Sequence, residues 1–336
     1  MKSCPHFLSE REWTGGRLFG HPRDGTNPGP SVKAFIAATI GITPIRGSRM
    51  DMQPVERYAL IFKTFTMDPF VQRRLAKVAA SAPSADIYVI VDETRGSVGP
   101  IDFPRVIRCR EDDLIKLGFA GISQGSLFWY NADYLLYYFQ YLQPSYDIIV
   151  MVEYDAVPNT NLDIVVQKCR DQKLDFIGQP IEKPVDTYWW TASLLRYYRR
   201  AQVRPYLICA AVFSAQAVRH LAECRLRHGQ DYDRSDATQW PIGEAFVGTE
   251  LASAGFRVRD LSSFGRLTRY DWWPPVHEFE LPDCTDQVFV HPVLNGRRYV
   301  SSIFKSGFVS GLIVVCRNAV PALARLLWRR ASWSGG

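Results

Sequence analysis

The sequence predicts an α/β fold with a mostly parallel central sheet. Short apolar segments alternate with segments of helical periodicity along most of the chain. The apolar segments are nearly continuous, which is typical of strands covered by helices on both faces of a sheet. With 336 residues, the chain has room for one large α/β domain with appendages or for two domains.

The first βαβ unit begins where the composition changes after a Gly- and Pro-rich arm. Residues 58–65 read as a buried strand. Residues 69–80 read as a helix, because Pro69 suits a first helical turn. Residues 85–93 read as the next strand, which ends in two acidic residues. These features predict two parallel strands joined by a covering helix.

The alternation continues to about residue 260. Residues 105–109 predict a short strand, 126–142 a helix that is apolar nearly all round, and 146–155 the most strand-like run of the chain. Further strands are predicted at 176–181, 207–213 and 257–261, and further helices at 215–225 and 244–254. The order predicts one domain over residues 56–305, with an irregular arm (1–55) before it and a tail (306–336) after it.

Composition excludes several protein classes. Hydrophobic residues make up 47% of the chain and charged residues 22%, which excludes disordered, collagenous and coiled-coil proteins. The net charge of +6 is modest and the basic residues are dispersed without a recognition motif, so nucleic acid is not an expected partner. The 7 cysteines form no CxxC pair, which predicts neither a zinc module nor a disulfide scaffold and fits a reducing compartment. Charges interrupt the N-terminal segment before a signal-peptide core could form, so a cytoplasmic location is expected.

Acidic residues follow two of the predicted strands. Asp92 and Glu93 end the strand at 85–93, and Glu153 and Asp155 end the strand at 146–155. Ligands bind beyond the carboxyl ends of strands in open α/β sheets. Residues two apart on an extended strand face the same side, so Glu153 and Asp155 are expected to approach one divalent ion. The alternative is that these carboxylates are solvated strand ends at turns.

A family resemblance rests on this acidic strand end and on four further motifs. Residues 146–158, with Glu153-Tyr-Asp155, resemble the strand and acidic turn of GT-A glycosyltransferases, where an Asp-x-Asp or Glu-x-Asp motif binds the metal and diphosphate of a nucleotide sugar. The four further motifs follow the same chain order as in the family: Val91-Asp92-Glu93, residues 124–133, Trp240 to Thr249, and Val290-His291-Pro292-Val293. The resemblance covers residues 56–305 and implies a GT-A-like, Rossmann-like domain.

The resemblance also implies roles for individual residues. Asp155 and His291 would bind the metal, and an imidazole ligand favours Mn²⁺ over Mg²⁺. Glu244 would be the catalytic base of an inverting enzyme. Glu153 replaces the commonest first Asp, and its longer side chain would contact the ribose or a metal-bound water. The residues implied to bind the nucleotide-diphosphate sugar are Phe65, Asp92, Asn131, Asp133 and Glu153.

Each of these residues also has a structural alternative. Asp155 can cap a turn, His291 can be a packed histidine, and Glu244 can stabilise a helix start through the macrodipole. Glu250 is a rival base, but a spacing of six residues turns it about 120° away from Glu244 on a helix, so both cannot face one acceptor atom.

Aromatic loops and the tail suggest further contacts. Tyr188-Trp189-Trp190, Trp240 and Trp272-Trp273 are candidates for an acceptor pocket, because flat apolar rings suit sugar faces. The basic run 196–204 is a solvated helix face or a contact for a diphosphate or lipid headgroup. Residues 308–330 predict an amphipathic basic helix that docks on its own domain or on an anionic membrane, which would place the protein peripherally on the inner face of the cell membrane.

The sequence therefore predicts a metal-dependent glycosyltransferase that moves a sugar from a nucleotide-diphosphate sugar to a hydroxyl of a glycan or lipid-linked acceptor, as in polysaccharide biosynthesis. A sugar nucleotidyltransferase is one alternative, although residues 63–68 lack the Gly-rich, basic loop that such an enzyme needs. A non-catalytic, membrane-associated carbohydrate-binding or scaffold protein is another.

Overall fold

The computed structural model describes residues 57–122, 126–232, 240–305 and 315–316. The strands, in chain order, are β1 (Tyr58–Thr64), β2 (Ala85–Asp92), β3 (Val106–Cys109), β4 (Ile148–Glu153), β5 (Val157–Pro158), β6 (Phe176–Pro180), β7 (Tyr206–Ser214), β8 (Val258–Asp260), β9 (Val276–His277), β10 (Phe289–Val290) and β11 (Val293–Leu294). The α-helices are α1 (Pro69–Ala80), α2 (Glu111–Lys116), α3 (Tyr134–Leu142), α4 (Leu162–Asp171), α5 (Thr191–Leu194), α6 (Ala215–Gln230), α7 (Gly243–Ser253) and α8 (Gly296–Lys305).

Seven strands form one mixed sheet in the order β3-β2-β1-β4-β7-β6-β8. Strand β7 runs antiparallel to both of its neighbours, and the other adjacent pairs are parallel. Two small sheets pair β10 with β5 and β11 with β9. The predicted α/β fold with a mostly parallel sheet is confirmed.

Helices cover both faces of the sheet. Side chains of α3, α6 and α7 pack with one face, and side chains of α1 and α4 pack with the other. Every residue of β1 and of β4 is buried, as the continuous apolar pattern predicts for strands in the middle of a covered sheet. Helix α1 begins at Pro69 because the Asp68 side chain accepts the backbone N–H groups of Phe70 and Val71 at 3.0 and 3.1 Å.

Several elements differ from the sequence prediction. The helix predicted over 126–142 is interrupted: a 3₁₀ turn spans Ser126–Phe128, and α3 begins only at Tyr134. Between them, the side chains of Asn131 and Asp133 are fully buried and bind other segments of the chain. Helix α4 lies where the sequence predicted no element, and it starts at the N-cap Asn161. Helix α6 continues to Gln230 instead of ending at residue 225.

The last described segment returns to the carboxyl end of the sheet. The backbone N–H of Val293 donates to the carbonyl of Asp155 at 2.8 Å, which fixes the segment carrying His291 against the turn after β4. Arg298 of α8 donates to the Asp68 carboxylate at 2.5 Å. Most of the proposed tail and the whole arm lie outside the described residues, so the amphipathic helix at 308–330 stays a prediction. None of the helices in the described ranges is both long and apolar enough to cross a membrane.

Candidate active site

A cleft opens at the carboxyl ends of β1, β2 and β4. Its volume is about 730 Å³, and the predicted residues Phe65, Asp92, Glu153 and Asp155 line it together with Trp129. This is the edge where an open α/β sheet exposes loops and helix starts to a ligand. The structure thus brings four of the predicted site residues to one cavity.

Glu153 at the end of β4 pairs with a buried lysine. Lys63 is the register neighbour of Glu153 on the adjacent strand, and its Nζ lies 2.7 Å from Glu153 Oε1. The same ammonium donates to the carbonyl of Ala132 at 3.2 Å and lies 4.6 Å from the centre of the Phe128 ring. Buried polar groups need such partners, so this contact fixes the position of the Glu153 side chain.

His291 lies beside Asp155, one of the residues that line the cleft. His291 Nε2 lies 3.7 Å from Asp155 Oδ1. His291 Nδ1 lies 2.8 Å from the carbonyl oxygen of Asp271, and because a carbonyl only accepts hydrogen bonds, Nδ1 carries a proton. In the neutral imidazole, Nε2 then presents its lone pair towards the carboxylate. Asp155 Oδ1 is buried and makes no hydrogen bond with any residue that the structure describes.

These donors fit a divalent cation. A carboxylate oxygen without a partner beside an imidazole lone pair is an arrangement that a cation stabilises, and an Nδ1 proton bound to a carbonyl is the usual way in which a metal-binding histidine is oriented. Burial raises the pKa of Asp155 to about 6, and the nearby His291 opposes this shift. Binding a cation would remove the energetic cost of keeping this carboxylate ionised.

A third donor comes from Cys209, which the sequence analysis did not select. Ligand atoms of Glu153, Cys209 and His291 all lie within 4.8 Å of one another. Burial raises the pKa of the Cys209 thiol well above its usual range, followed in effect by the charge of Glu153. The residue lies in the middle of an apolar strand with no neighbouring Cys or His, so the local sequence contains no pattern that could have identified it.

Glu244 lies in the first turn of α7, half-buried, and shares the electrostatic environment of the cleft. Burial raises the pKa of Glu244 to about 8; the charge of Glu153 adds to the increase and Lys63 opposes it. A carboxyl group with a pKa near neutrality is suited to accept a proton. Glu250 points elsewhere and is bound by Tyr198 and Cys224, as the six-residue spacing predicted.

A buried ion pair supports the start of α7. Arg225 of α6 is 0% exposed and donates to both carboxylate oxygens of Asp133, at 2.9 and 3.1 Å. It also donates to the carbonyl of Pro241 at 2.7 Å, two residues before α7 begins. A Cβ atom at Gly243 would lie only 2.6 Å from Asp133 Oδ1, so the close approach requires glycine there.

Two predicted donor-binding residues therefore belong to this support and do not line the cleft. Asp133 is bound by Arg225 and by the hydroxyl of Tyr137 at 2.7 Å. Asn131 donates to the carbonyl of Gly121 at 3.0 Å and accepts from the indole of Trp240 at 3.2 Å. Both are fully buried.

Aromatic rings and the carboxylate of Asp92 line the cleft beside the acidic residues of β4 and its turn. Phe65 is 46% exposed and Trp129 is 68% exposed, which is high for such large apolar rings. Phe65 meets Phe128 and Tyr154 edge to face, with ring centres 5.1 and 5.2 Å apart. Asp92 accepts the backbone N–H of Thr94 at 2.9 Å through Oδ1.

A second aromatic surface lies near Glu244. The rings of Trp189 and Trp272 meet edge to face with centres 5.8 Å apart, and the Lys183 ammonium lies 4.2 and 5.3 Å from their centres. The charges of Asp271 and Lys183 both influence the pKa of Glu244, after burial and the larger effects of Glu153 and Lys63. Trp240, another of the candidate tryptophans, is 1% exposed and belongs to the core.

Comparisons with known proteins give similarity of structure and none of sequence. No protein-family profile and no curated protein sequence matches the chain. The solved structures that it resembles include mouse xyloside xylosyltransferase 1 in its apo form (TM-score 0.40, 11% identity, 70% of this chain and 97% of that one). They also include an active-site mutant of LgtC (TM-score 0.39, 12% identity, 69% and 86%).

A third similar structure is 4-diphosphocytidyl-2C-methyl-D-erythritol synthase from Anaerococcus prevotii (TM-score 0.35, 9% identity, 61% and 89%). The matches thus include GT-A glycosyltransferases, the family that the sequence motifs resemble, and a nucleotidyltransferase. With similarities this low, the function has to be argued from the residues of this chain.

Proposed function

We propose that the chain is a metal-dependent glycosyltransferase that uses a nucleotide-diphosphate sugar. One observation carries this proposal: the buried Asp155 Oδ1, which has no hydrogen-bond partner among the described residues, lies 3.7 Å from the imidazole of His291. Asp155 itself belongs to the lining of a cleft that also contains aromatic side chains. A cation at this position would hold the diphosphate of a nucleotide whose base lies farther along the cleft.

The residues around the cation position have separate tasks in this proposal. Asp155 and His291 would hold Mn²⁺, or Mg²⁺, and the ion would neutralise the charge that grows on the departing diphosphate. Glu153, fixed by Lys63, would contact the ribose or a metal-bound water. Cys209 lies within 4.8 Å of ligand atoms of Glu153 and His291 and would be a further donor on the His291 side of the ion.

The donor cleft would select a nucleotide through its aromatic rings. Phe65 and Trp129 offer exposed flat faces on which a base can stack, as aromatic side chains do with bases in single-stranded nucleic acids. Asp92 has one carboxylate oxygen held by a backbone N–H, which leaves its other oxygen to accept a hydrogen bond from a ribose hydroxyl.

Glu244 would act as the general base on the acceptor. In direct transfer, the acceptor hydroxyl loses its proton as its oxygen bonds to the anomeric carbon, and the proton would pass to the Glu244 carboxylate. Attack on the face opposite the diphosphate would invert the anomeric configuration. The Trp189 and Trp272 rings near Glu244 would bind the acceptor, a glycan or lipid-linked sugar as in polysaccharide biosynthesis. The basic tail would keep the enzyme at the inner face of the cell membrane.

A screen of nucleotide sugars tests the proposal. Purified protein is incubated with each nucleotide sugar, with Mn²⁺ or with a chelator, and release of the nucleoside diphosphate is measured. We expect the protein to hydrolyse one of the nucleotide sugars, and we expect this hydrolysis to require the cation. If the protein binds the sugar without needing a metal and hydrolyses none of the nucleotide sugars, the carbohydrate-binding scaffold would be favoured. Pyrophosphate release from a sugar 1-phosphate and a nucleoside triphosphate would favour the nucleotidyltransferase.

Activity is expected to depend on the ionisation of Glu244. A general base works only as the carboxylate, so kcat/KM is expected to rise with pH and to level off above about 8, the pKa of Glu244 in the free protein. Glu244→Gln is expected to lower kcat by about 10²–10⁴-fold and to abolish this rise. Asp112→Asn, at an exposed position of α2 outside the cleft, is the control and should retain the rise. A normal pH profile in Glu244→Gln would assign the base elsewhere.

A further inference from the structure

A second cluster of potential metal ligands lies away from the cleft, between helices α6 and α7. His220 and Cys224 are four residues apart on α6 and therefore lie on one helix face. Glu250 of α7 meets them: its Oε1 lies 2.6 Å from His220 Nε2 and 3.0 Å from Cys224 Sγ. Sγ and Nε2 are 3.5 Å apart. One imidazole, one thiol and one carboxylate thus converge on a single point.

We propose that His220, Cys224 and Glu250 form a Zn²⁺ site that joins α6 to α7. Zinc is bound in proteins by the three donor types present here, and a thiolate donor disfavours Mg²⁺ or Ca²⁺. Three protein ligands leave the fourth tetrahedral position for water. The His220 side chain is 26% exposed and Glu250 13% exposed, so a hydrated ion can reach the cluster.

Neighbouring side chains would orient the ligands. The Tyr198 hydroxyl donates to Glu250 Oε2 at 2.6 Å, so Oε1 is the oxygen presented to His220 and Cys224. The guanidinium of Arg227 donates to Cys224 Sγ at 2.7 Å, and its charge opposes the increase that burial and Glu250 cause in the pKa of the Cys224 thiol. Such contacts around the ligands commonly tune metal sites. On binding, the Cys224 thiol would release its proton to solvent and Zn²⁺ would take the place of the hydrogen bonds to Glu250.

The site is separate from the proposed catalytic cation site and does not depend on the proposed function. It joins the last turns of α7 to the middle of α6, whereas Glu244 lies in the first turn of α7. Because the ion would bind only the folded arrangement of both helices, it would stabilise the folded protein.

Titration with Co²⁺, which takes zinc sites and absorbs when bound to thiolate, provides the test. Bound metal is removed from the full chain with a chelator. The titration is done on the chain and on its Cys209→Ser variant, because the Cys209 thiolate could itself give a cobalt band. We expect the thiolate-to-cobalt band to remain in Cys209→Ser and to disappear when Cys224→Ser is added. Cys169→Ser, a buried thiol outside both clusters, is the matched control and should keep the band.

Zinc affinity and unfolding temperature complete the test. We expect one Zn²⁺ to raise the Tm of the Cys209→Ser protein, and His220→Gln, at a partly exposed position, to weaken its Zn²⁺ affinity at least tenfold. His220→Gln serves if Cys224→Ser fails to fold. A band that is lost with Cys209→Ser alone would overturn the proposal, and so would Zn²⁺ affinity that His220→Gln leaves unchanged.

Discussion

Replacing Asp155 by Asn is expected to reduce sugar transfer by about 10²–10³-fold or more, the scale for removing a group that stabilises developing charge. The amide keeps the shape of the side chain but loses the negative charge that would hold the cation. Burial raises the pKa of Asp155 to about 6, so the carboxylate is ionised at neutral pH at a cost to the stability of the folded state. Removing its charge should therefore not lower the Tm. Transfer rate, Mn²⁺ affinity by calorimetry and Tm are the measurements.

Asp112→Asn is the matched control for this variant. Asp112 is an exposed acid in the first turn of α2 and lies outside the cleft. Its amide variant should retain transfer and Mn²⁺ affinity. Full activity in Asp155→Asn, with the same requirement for Mn²⁺, would remove Asp155 from the metal site and with it the central argument for the proposed function.

The mostly parallel sheet and the edge at which the cleft opens were largely predictable from the sequence. Continuous apolar runs such as β1 and β4 predict a buried parallel pair, and acids that follow parallel strands meet at one edge of the sheet. The antiparallel direction of β7 was not predictable, because an apolar strand reads the same in both directions. Cys209 lies in the middle of β7, so its position beside Glu153 and His291 depends on how this strand pairs and was not predictable either.

The expected geometry of the acidic motif was only partly correct. Strand β4 ends at Glu153, and Asp155 lies in the turn that follows, so side-chain alternation along a strand does not place the two carboxylates. The contact of Asp155 with His291 depends instead on the backbone hydrogen bond from Val293 to the Asp155 carbonyl. A contact between residues more than a hundred positions apart leaves no trace in local patterning.

The roles of Asn131 and Asp133 show a second limit. The family resemblance of residues 124–133 implied that both side chains bind the donor, but buried polar groups also find partners within the fold. Here the partners are Trp240 and Arg225, both far away in the sequence. A single sequence does not show that Arg225 is buried, because arginine is mostly exposed in proteins.

Removing the Arg225 side chain is expected to destabilise the fold strongly. Arg225→Ala would leave the Asp133 carboxylate buried without its counter-ion, a change that typically costs about 3–5 kcal/mol of unfolding free energy. The side chains of Arg225 and Asp133 are 0% and 1% exposed, so water cannot take the place of the lost guanidinium. The free energy of unfolding is measured by urea denaturation.

The same change should also displace Glu244, because Arg225 holds the carbonyl of Pro241 just before α7. At a temperature where Arg225→Ala is still folded, kcat should therefore fall while the KM for the nucleotide sugar changes little.

Arg266→Ala breaks an exposed ion pair with Asp286 and should cost no more than about 1 kcal/mol. Adding Asp133→Asn to Arg225→Ala removes the unpaired charge but keeps an acceptor for the Tyr137 hydroxyl, so part of the stability should return without the lost kcat. Equal losses for Arg225→Ala and Arg266→Ala would show that the buried pair does not support this end of the sheet.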